Sequence, residues 1–392
     1  MTNGESCSHR SDGLAELVVY APWPEGGHPE YVHTLLLAMK QNSPALQIIW
    51  PRRADLAVKF TSSQLAQPVC IPEMKARGQS RWWFLDRMNP LKRHDVAFLK
   101  WLVRRDFTQG VLLIEEIHRL TLALVVLVAR CKSLKVVVHM HNTRRHDYQG
   151  TVVDRLDERV TGYGLRLANA ILVNSRDSRD ELINRGLSPA HVSVARHGLH
   201  PSVTKVVEPP TVPTVLFFGE NRPSKGLDIL VAAVKALNDS GVSLRLVVAG
   251  RTAAAHRREV ESLLSQVNDL VWLDRFIDDN EVKDLFLGAT VVALPYRQFQ
   301  AQSGVLHLAI AHAVPVVAAD LGGMPEVIVP AGCGAVFQNG SIDALAGALR
   351  GALNPQTNLA YREKCLVLQK SLDWANVAKD FIGVVDRQWV AS

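Results

Sequence analysis

The sequence predicts an α/β fold with two domains, each built on a doubly wound parallel sheet. Three observations carry this prediction. The 392 residues exceed what one ordinary core accommodates and suit two domains. Short β-branched runs alternate with helical patterns in both halves, which is typical of a parallel sheet covered on both faces. A proline-rich stretch without periodicity, residues 198–214, separates the two halves.

The first half, residues 1–200, contains six predicted strands separated by helical segments. The strands are Leu17–Ala21, Leu46–Trp50, Val111–Glu115, Lys135–Met140, Ala170–Asn174 and Val192–Ala195. Residues 120–129, LTLALVVLVA, are too few to cross a bilayer, so this stretch favours a buried helix.

The second half restarts the alternation after a linker that we assign to residues 201–213. Its predicted strands are Thr214–Gly219, Leu244–Gly250, Val271–Phe276, Thr290–Tyr296 and Pro315–Asp320. The second domain covers residues 214–371, and residues 372–392 form a helix expected to cross back toward the first domain. Two such domains facing a central cleft would bind ligands at the carboxyl ends of their strands.

Composition limits the classes of partner. The chain is 47% hydrophobic and 21% charged, with a net charge of +6, which favours an anionic partner. The pattern of a nucleic-acid-binding module is missing, so nucleic acid is not expected. Five cysteines without C-x-x-C spacing indicate reduced thiols rather than zinc, and the polar N-terminus lacks the apolar core of a signal peptide. We therefore expect a cytoplasmic protein.

Two strand-to-helix turns have the residues that a diphosphate requires. In 216–226, LFFGENRPSKG, a glycine ends a strand and Arg222 and Lys225 lie on the following turn. In the second turn, Ser303 and Gly304 open a helix whose free N–H groups and dipole attract anions. The alternatives are two solvated charges at the first turn and a plain serine N-cap at the second. Together, the turns predict a nucleotide diphosphate site.

These motifs resemble those of the GT-B fold, family 4 retaining glycosyltransferases, in which two Rossmann-like domains face a central cleft. The resemblance rests on F-G-x-x-R-P-x-K-G at Phe218–Gly226, Q-S-G-V-L at Gln302–Leu306 and G-G-x-P-E-V at Gly322–Val327. The segment His141–Asp147, HNTRRHD, is similar to a bacterial polysaccharide-type subgroup, with Arg145 where proline is usual. The resemblance to this family implies transfer of a sugar from a UDP- or GDP-linked donor to a glycan or lipid-linked acceptor, with no metal and no cofactor.

The resemblance assigns roles to individual positions. It implies that Arg222, Lys225 and His141 serve catalysis and that Asn142 and His146 lie in an acceptor-side loop. The donor-binding positions also include Gly26, Gly27, Phe276, Ile277, Gln300, Gln302, Ser303, Gly304, Val305 and Glu326. Three of these assignments have a structural alternative: an ordinary Gly-Gly turn at Gly26 and Gly27, a satisfied structural histidine at His141, and a glutamate favoured by a helix dipole without any ligand at Glu326.

The sequence departs from the family at an E-x7-E motif, whose two acidic positions fall on Gln300 and Leu308. In the family the first carboxylate touches the donor sugar and the second the ribose. We interpret this as a variant donor site. A catalytically silent homologue that binds nucleotide or a partner stays open as an alternative, as does a nucleotide-sugar epimerase.

Residues Lys75–Arg93 combine six cations with Trp82, Trp83 and Phe84. Basic and aromatic side chains together suit an anionic membrane surface, and lipid-linked acceptors would place the protein at the inner membrane face. The equal alternative is a surface helix whose tryptophans pack on the domain.

Overall fold

The computed structural model describes residues 16–21, 28–51, 93–107, 109–115, 119–143, 150–298 and 303–390. The strands of the first half are β1 (Glu16–Tyr20), β2 (Gln47–Ile49), β3 (Gly110–Glu115), β4 (Leu134–Met140), β5 (Ala170–Val173) and β6 (Val192–Val194). The helices described in that half are α1 (His28–Asn42), α2 (Arg93–Arg104), α3 (Arg119–Cys131), α4 (Val152–Leu167) and α5 (Arg176–Asn184).

The second half has six further strands. They are β7 (Thr214–Phe218), β8 (Arg245–Ala249), β9 (Leu270–Leu273), β10 (Val291–Leu294), β11 (Val316–Ala319) and β12 (Gly334–Phe337). Its helices are α6 (Leu227–Asp239), α7 (Arg257–Leu264), α8 (Asp279–Leu287), α9 (Gly304–Ala311), α10 (Met324–Ala331), α11 (Ile342–Leu353), α12 (Pro355–Leu372) and α13 (Trp374–Val390). A single 3-10 turn, Pro223–Lys225, precedes α6.

Each half contains one six-stranded parallel sheet, which confirms the predicted α/β fold class. The strand orders are β2-β1-β3-β4-β5-β6 and β12-β11-β10-β7-β8-β9. In the second sheet the chain runs outward from β7 to β9 and then returns to place β10 on the other side of β7. The point where the strand order reverses therefore lies between β7 and β10, and such a point opens a crevice at the carboxyl ends of the strands.

Side chains alternate between the two faces of the second sheet along each strand, so each face has its own hydrophobic core. Val215 and Phe217 of β7 belong to one buried cluster, while Leu216 belongs to the other. Helices α6 and α11 cover the first cluster and α9 covers the second. Both faces are apolar because a doubly covered parallel sheet has no solvated side.

The contacts divide the chain into two compact units. The first contains the described residues up to His139, Arg159–Ile171 and the chain from Phe381 onward. The second contains Met140–Glu158 and Leu172–Asp380. The whole second sheet and its helices up to α12 lie in the second unit.

Several predicted elements differ from the observed ones. The strand expected at Val271–Phe276 ends at Leu273, where the Arg275 N–H donates to the Leu273 carbonyl at 3.0 Å and turns the chain. The strand expected through Tyr296 ends at Leu294, before a proline that has no N–H to donate. The edge strand β12 was not predicted, because GAVF is short and begins with glycine.

The apolar stretch 120–129 forms a helix as expected, within α3. The helix is buried on one face, through Leu122, Val125, Val126 and Ala129, whereas Leu124 is 44% exposed and Leu127 is 46% exposed on the other. Across the residues that the structure describes, we find no helix with the length and apolarity to span a membrane.

Candidate functional site

The loop after β7 turns sharply at two glycines. Gly219 has φ of 97° and Gly226 has φ of 70°, both in the left-handed region that side chains disfavour. A Cβ at Gly226 would lie 1.9 Å from the carbonyl oxygen of Pro295, in the segment after β10. Only glycine therefore lets these two segments approach across the switch point. The close approach brings the 3-10 turn beside the chain that leads into α9.

Lys225 ends this 3-10 turn and returns its ammonium group to the end of β7. Its Nζ lies 3.3 Å from the carbonyl oxygen of Phe218 and 5.7 Å from the centre of the Tyr296 ring. Burial, followed by repulsion from Arg222, lowers the pKa of Lys225 to about 8. An ammonium group in these surroundings gains from any anion that enters the site.

Arg222 begins the same turn and is paired with Glu220. Its Nη2 and Nε donate to one carboxylate oxygen of Glu220 at 2.6 and 3.1 Å. The side chain of Arg222 is 51% exposed and that of Glu220 is 37% exposed, so the pair faces solvent. The hydrogen bond from Arg222 is the main cause that lowers the pKa of Glu220, with Arg251 and Lys225 contributing by their charges.

Helix α9 begins beside this loop. Ser303 is its N-cap and accepts the N–H of Leu306 at 3.4 Å, which leaves the first N–H groups of the helix available to a ligand. Ser303 is itself buried and its hydroxyl lies 3.3 Å from the hydroxyl of Tyr296. Gly304 is exposed, and a Cβ there would meet no atom within 4 Å. Among the described residues, none therefore fills the space beside the first residue of α9.

The two turns converge on Gly219. A Cβ at Gly219 would lie 2.7 Å from the Lys225 ammonium and 3.9 Å from a methyl group of Val305 on α9. A half-buried cation, a glycine and the N-terminus of a helix thus surround one position at the carboxyl edge of the sheet. This arrangement has the charge and the free N–H donors that a phosphate group requires.

The loop between β9 and α8 contains two residues predicted to bind the sugar donor, and they differ in exposure. Phe276 is 76% exposed, whereas Ile277 is buried in the core cluster that α9 covers. Two ion-pair contacts of 2.6 Å between Arg275 and Glu281 hold the loop, and the Asp278 N–H donates to Glu281 at 3.4 Å. Of the two residues, only Phe276 presents a free apolar surface against which a planar base could stack.

Glu326 lies in the first turn of α10, as the sequence indicates, and its carboxylate is bound by backbone. Its two oxygens accept the N–H groups of Arg176 and Asp177 at 2.7 and 2.6 Å. These two residues open helix α5, so Glu326 supplies a negative charge and two acceptors to the N-terminus of that helix. Burial and the nearby carboxylates of Glu181 and Glu326 raise the pKa of Asp177.

His141 and Asn142 directly follow β4 and are both half-buried. His139 on β4 is buried, and its Nδ1 lies 2.7 Å from a carboxylate oxygen of Glu115 at the end of β3. Histidine and carboxylate side chains such as those of His139 and Glu115 have the chemistry to hold a metal ion. The expectation that the protein uses no metal stays a prediction.

Several predicted residues lie outside the described part of the chain. They are Gly26, Gly27, His146, Gln300 and Gln302, together with the segment Lys75–Arg93 except its last residue, which begins α2. The roles assigned to them from the sequence stay predictions. Five of the predicted site residues that the structure describes lie close together at the two turns. They are Arg222, Lys225, Ser303, Gly304 and Val305.

Sequence reasoning missed three residues at this site. Glu220 pairs with Arg222, Tyr296 approaches Ser303, and the Nδ1–H of His307 donates to the Ser303 carbonyl at 3.0 Å. Burial lowers the pKa of His307 to about 4 and raises the pKa of Tyr296 to about 12, so both side chains are neutral near pH 7. The signal for His307 was its place four residues after the N-cap, on the same side of the helix.

Two protein-family profiles match the chain. The one described as "Glycosyl transferases group 1" matches residues 212–354, and the one described as "Glycosyl transferase 4-like domain" matches residues 26–198. The first covers β7 to the end of α11, which includes every residue of the converging turns. The second ends just before the predicted linker.

Curated relatives match parts of the chain. The alpha-maltose-1-phosphate synthase of Mycolicibacterium smegmatis is 25% identical over 248 residues, 55% of this chain and 62% of the synthase. The GDP-mannose:glycolipid 4-beta-D-mannosyltransferase of Xanthomonas campestris pv. campestris is 26% identical over 299 residues, 74% of this chain and 78% of that protein. The matched stretch therefore spans less than two thirds of the synthase.

Two solved structures share the fold over nearly the whole chain. Sucrose-phosphate synthase from Thermosynechococcus elongatus superposes with a TM-score of 0.75 at 18% identity, covering 96% of this chain and 100% of that chain. The Anabaena protein HepE, solved in complex with UDP, gives a TM-score of 0.70 at 14% identity with the same coverage. At these identities the likeness concerns the fold alone.

Proposed function

Because the chain belongs to the GT-B fold family 4 glycosyltransferases, we propose that it transfers a sugar from a nucleotide diphosphate sugar to a glycan or lipid-linked acceptor. The transfer retains the configuration of the anomeric carbon and needs no metal. The observation that carries this proposal is the convergence of the Lys225 ammonium and the first turn of α9 on Gly219. This convergence supports a diphosphate site at the crevice between β7 and β10.

The chemistry at this site follows from where charge develops. When the bond between the anomeric carbon and the donor phosphate breaks, negative charge grows on the leaving diphosphate. Lys225, Arg222 and the N–H groups that open α9 would stabilise that charge more in the transition state than in the bound donor. A bound diphosphate also favours the protonated form of Lys225, so the cation is present when it is needed.

We propose a transfer without a covalent sugar-enzyme intermediate, and in such a transfer retention requires the acceptor to attack on the face that the leaving group departs from. The leaving diphosphate oxygen lies on that face and can take the proton from the acceptor hydroxyl as the new bond forms. The protein then has to orient the two substrates and exclude water, rather than supply a nucleophile. We place His141 near the donor sugar in this proposal, as the resemblance implies.

Donor and acceptor classes are proposed from the relatives. The name of the Xanthomonas relative specifies GDP-mannose and a glycolipid, and HepE was solved with UDP and with UDP-glucose. We propose that this chain takes a UDP- or GDP-linked sugar and a lipid-linked glycan acceptor. A lipid-linked acceptor would bring the protein to the inner membrane face, with Lys75–Arg93 as the proposed contact.

The first test is a thermal-shift screen with UDP, GDP, ADP and TDP on the wild type and on Lys225→Ala. A ligand at about 100 times its Kd adds roughly 2.7 kcal/mol to the free energy of unfolding. We expect one nucleotide to stabilise the wild type and to lose this effect in the variant. If none of the four raises the melting temperature of the wild type at millimolar concentration, the diphosphate site is refuted.

Turnover separates the enzyme from a silent homologue. The observation that favours the silent homologue is Leu308, a half-buried residue that packs against the core cluster covered by α9, where the family has a carboxylate. The nucleotide chosen by the screen is supplied as its sugar conjugate with a lipid extract, in the presence and absence of EDTA. We expect release of nucleoside diphosphate that depends on the acceptor and is unchanged by EDTA. Conversion of the sugar without an acceptor would instead identify an epimerase.

A further inference from the structure

The loop after β7 contains one carboxylate, Glu220, and three cations act on it: Arg222 and Lys225 of the same loop, and Arg251 after β8. Glu220 accepts two hydrogen bonds from Arg222, and the charges of Arg251 and Lys225 act on it as well. Both N–H groups on one edge of the Arg222 guanidinium are therefore occupied by Glu220. A phosphate that binds Arg222 through the same edge must displace this carboxylate or share the guanidinium with it.

We propose that Glu220 is an internal anion that competes with the donor diphosphate for Arg222, and that it weakens binding of the product more than binding of the donor. This inference rests on the proposed function. It assigns to Glu220 the discrimination between two ligands that occupy the same site. The expected consequence is faster release of the nucleoside diphosphate after sugar transfer.

The discrimination follows from the charges of the two ligands. The diphosphate of a nucleotide sugar is esterified at both ends and carries about two negative charges. A free nucleoside diphosphate has a terminal phosphate whose second ionisation lies near pH 6, so it carries nearly three near neutral pH. A fixed carboxylate beside the site therefore repels the product more strongly than the donor.

The carboxylate remains ionised across the working range, since Arg222 holds the pKa of Glu220 below its ordinary value. Lowering the pH is thus no substitute for replacing the side chain. Glu220→Gln removes the charge and keeps the size and the hydrogen-bonding capacity. Arg222 stays in place in this variant, so the change in affinity reports on the charge.

The matched control is Asp269→Asn. Asp269 forms a comparable exposed pair with Arg245 at 3.0 Å, at the opposite edge of the same sheet, where β8 and β9 begin. Each variant removes one negative charge from a carboxylate that is paired with an arginine in the second unit. Only Glu220→Gln removes that charge beside the candidate diphosphate site.

The experiment is calorimetric titration of the wild type, Glu220→Gln and Asp269→Asn with UDP, UDP-glucose, GDP and GDP-mannose. For the nucleotide that binds, we expect Glu220→Gln to bind the diphosphate about tenfold more tightly and its sugar conjugate about threefold more tightly. Asp269→Asn should bind each ligand with the same affinity as the wild type. Uridine and guanosine, which lack phosphate, should show no gain in affinity for Glu220→Gln.

The outcomes distinguish this inference from the proposed function. If the wild type binds a nucleotide and Glu220→Gln binds it equally or more weakly, Glu220 orients Arg222 for the ligand and the competition is refuted. An equal gain for diphosphate and sugar conjugate refutes the discrimination. If neither the wild type nor Glu220→Gln binds any of the four probes, the proposed function fails together with this inference.

Discussion

Lys225 is the residue whose charge state should govern nucleotide binding. Its pKa in the unliganded protein is about 8, because burial and Arg222 disfavour the ammonium form. A phosphate binds the ammonium form more strongly than the amine, so the pKa of the bound state lies above that of the free state. The affinity for the nucleotide is therefore highest below pH 8, where Lys225 is protonated in the free protein. It falls by up to about tenfold per pH unit above 8, until the bound group also loses its proton.

This pH dependence is measured by titrating the wild type with UDP or GDP between about pH 7 and pH 9.5, above the second ionisation of the ligand phosphate. Lys225→Ala is the control, and its weaker affinity should show little change over the same range. A wild-type affinity that stays constant from pH 7 to pH 9.5 would contradict the placement of Lys225 against the phosphates.

At the scale of the element, the N-cap of α9 stabilises its helix, and we propose that it also helps to bind the nucleotide; one pair of variants separates the two roles. Ser303 caps α9 and Ser341 caps α11, each accepting a backbone N–H with its hydroxyl. Replacing either serine by alanine should lower the free energy of unfolding by about 1 kcal/mol. Only Ser303→Ala should also weaken nucleotide binding, since only α9 opens at the candidate diphosphate site.

Chemical denaturation gives the stability of both cap variants, and calorimetry with UDP or GDP gives the affinity. Ser341→Ala is the control because it carries the same loss of a cap away from the site. Equal nucleotide affinities in the two variants would show that the start of α9 does not bind phosphate.

The start of helix α5 depends on a side chain from a distant part of the sequence. Glu326 accepts the N–H groups of Arg176 and Asp177, which are 150 and 149 residues away. Replacing Glu326 by alanine should cost about 1–2 kcal/mol, because two charge-assisted hydrogen bonds and a favourable charge at the helix N-terminus are lost.

Amide hydrogen exchange tests this role directly. In Glu326→Ala the amides of Arg176 and Asp177 should exchange faster, while the amides that open α11 should keep their wild-type rates. If these amides keep their protection and nucleotide affinity falls instead, Glu326 acts in donor binding, as its motif implied.

At the scale of the whole molecule, one buried arginine ties together several elements of the second unit. Arg362 of α12 is fully buried and donates to the side chain of Asn358 at 2.8 Å and to the carbonyl of Ala289 at 2.7 Å. Burial lowers its pKa to about 10. Arg362→Met should destabilise the protein by about 3 kcal/mol, because buried carbonyl and amide oxygens lose their donors.

Urea denaturation measures this loss, with Arg350→Met as the control. Arg350 is an exposed arginine that donates to Ser240 at 2.7 Å, and its replacement should cost less than about 1 kcal/mol. Similar losses in the two variants would refute a structural role for the buried guanidinium.

The fold class and the positions of the two strand-to-helix turns were predictable from the sequence because their signals are local. Continuous β-branched runs such as those of β7, β10 and β11 are stable only in a sheet covered on both faces, so they predict the parallel α/β class. Arg222, Lys225 and Ser303 are set by their own turns, within a few residues of a strand end or a helix start. Because parallel strands end at a common edge, these local positions were sufficient to place them together.

Only the tertiary structure decided which residues contact one another across the chain. Nothing in the local pattern pairs Glu326 with the start of α5 or brings Pro295 against Gly226, since these contacts depend on the path of the chain between them. The pairing of Glu220 with Arg222 depends on side-chain directions within one turn, which residue type does not specify. Hydrogen bonds and ion pairs act over a few ångströms in space, whereas the sequence orders residues only along the chain. The sequence by itself therefore determined the fold class and the elements that carry the site, and the folded chain decided which groups meet there.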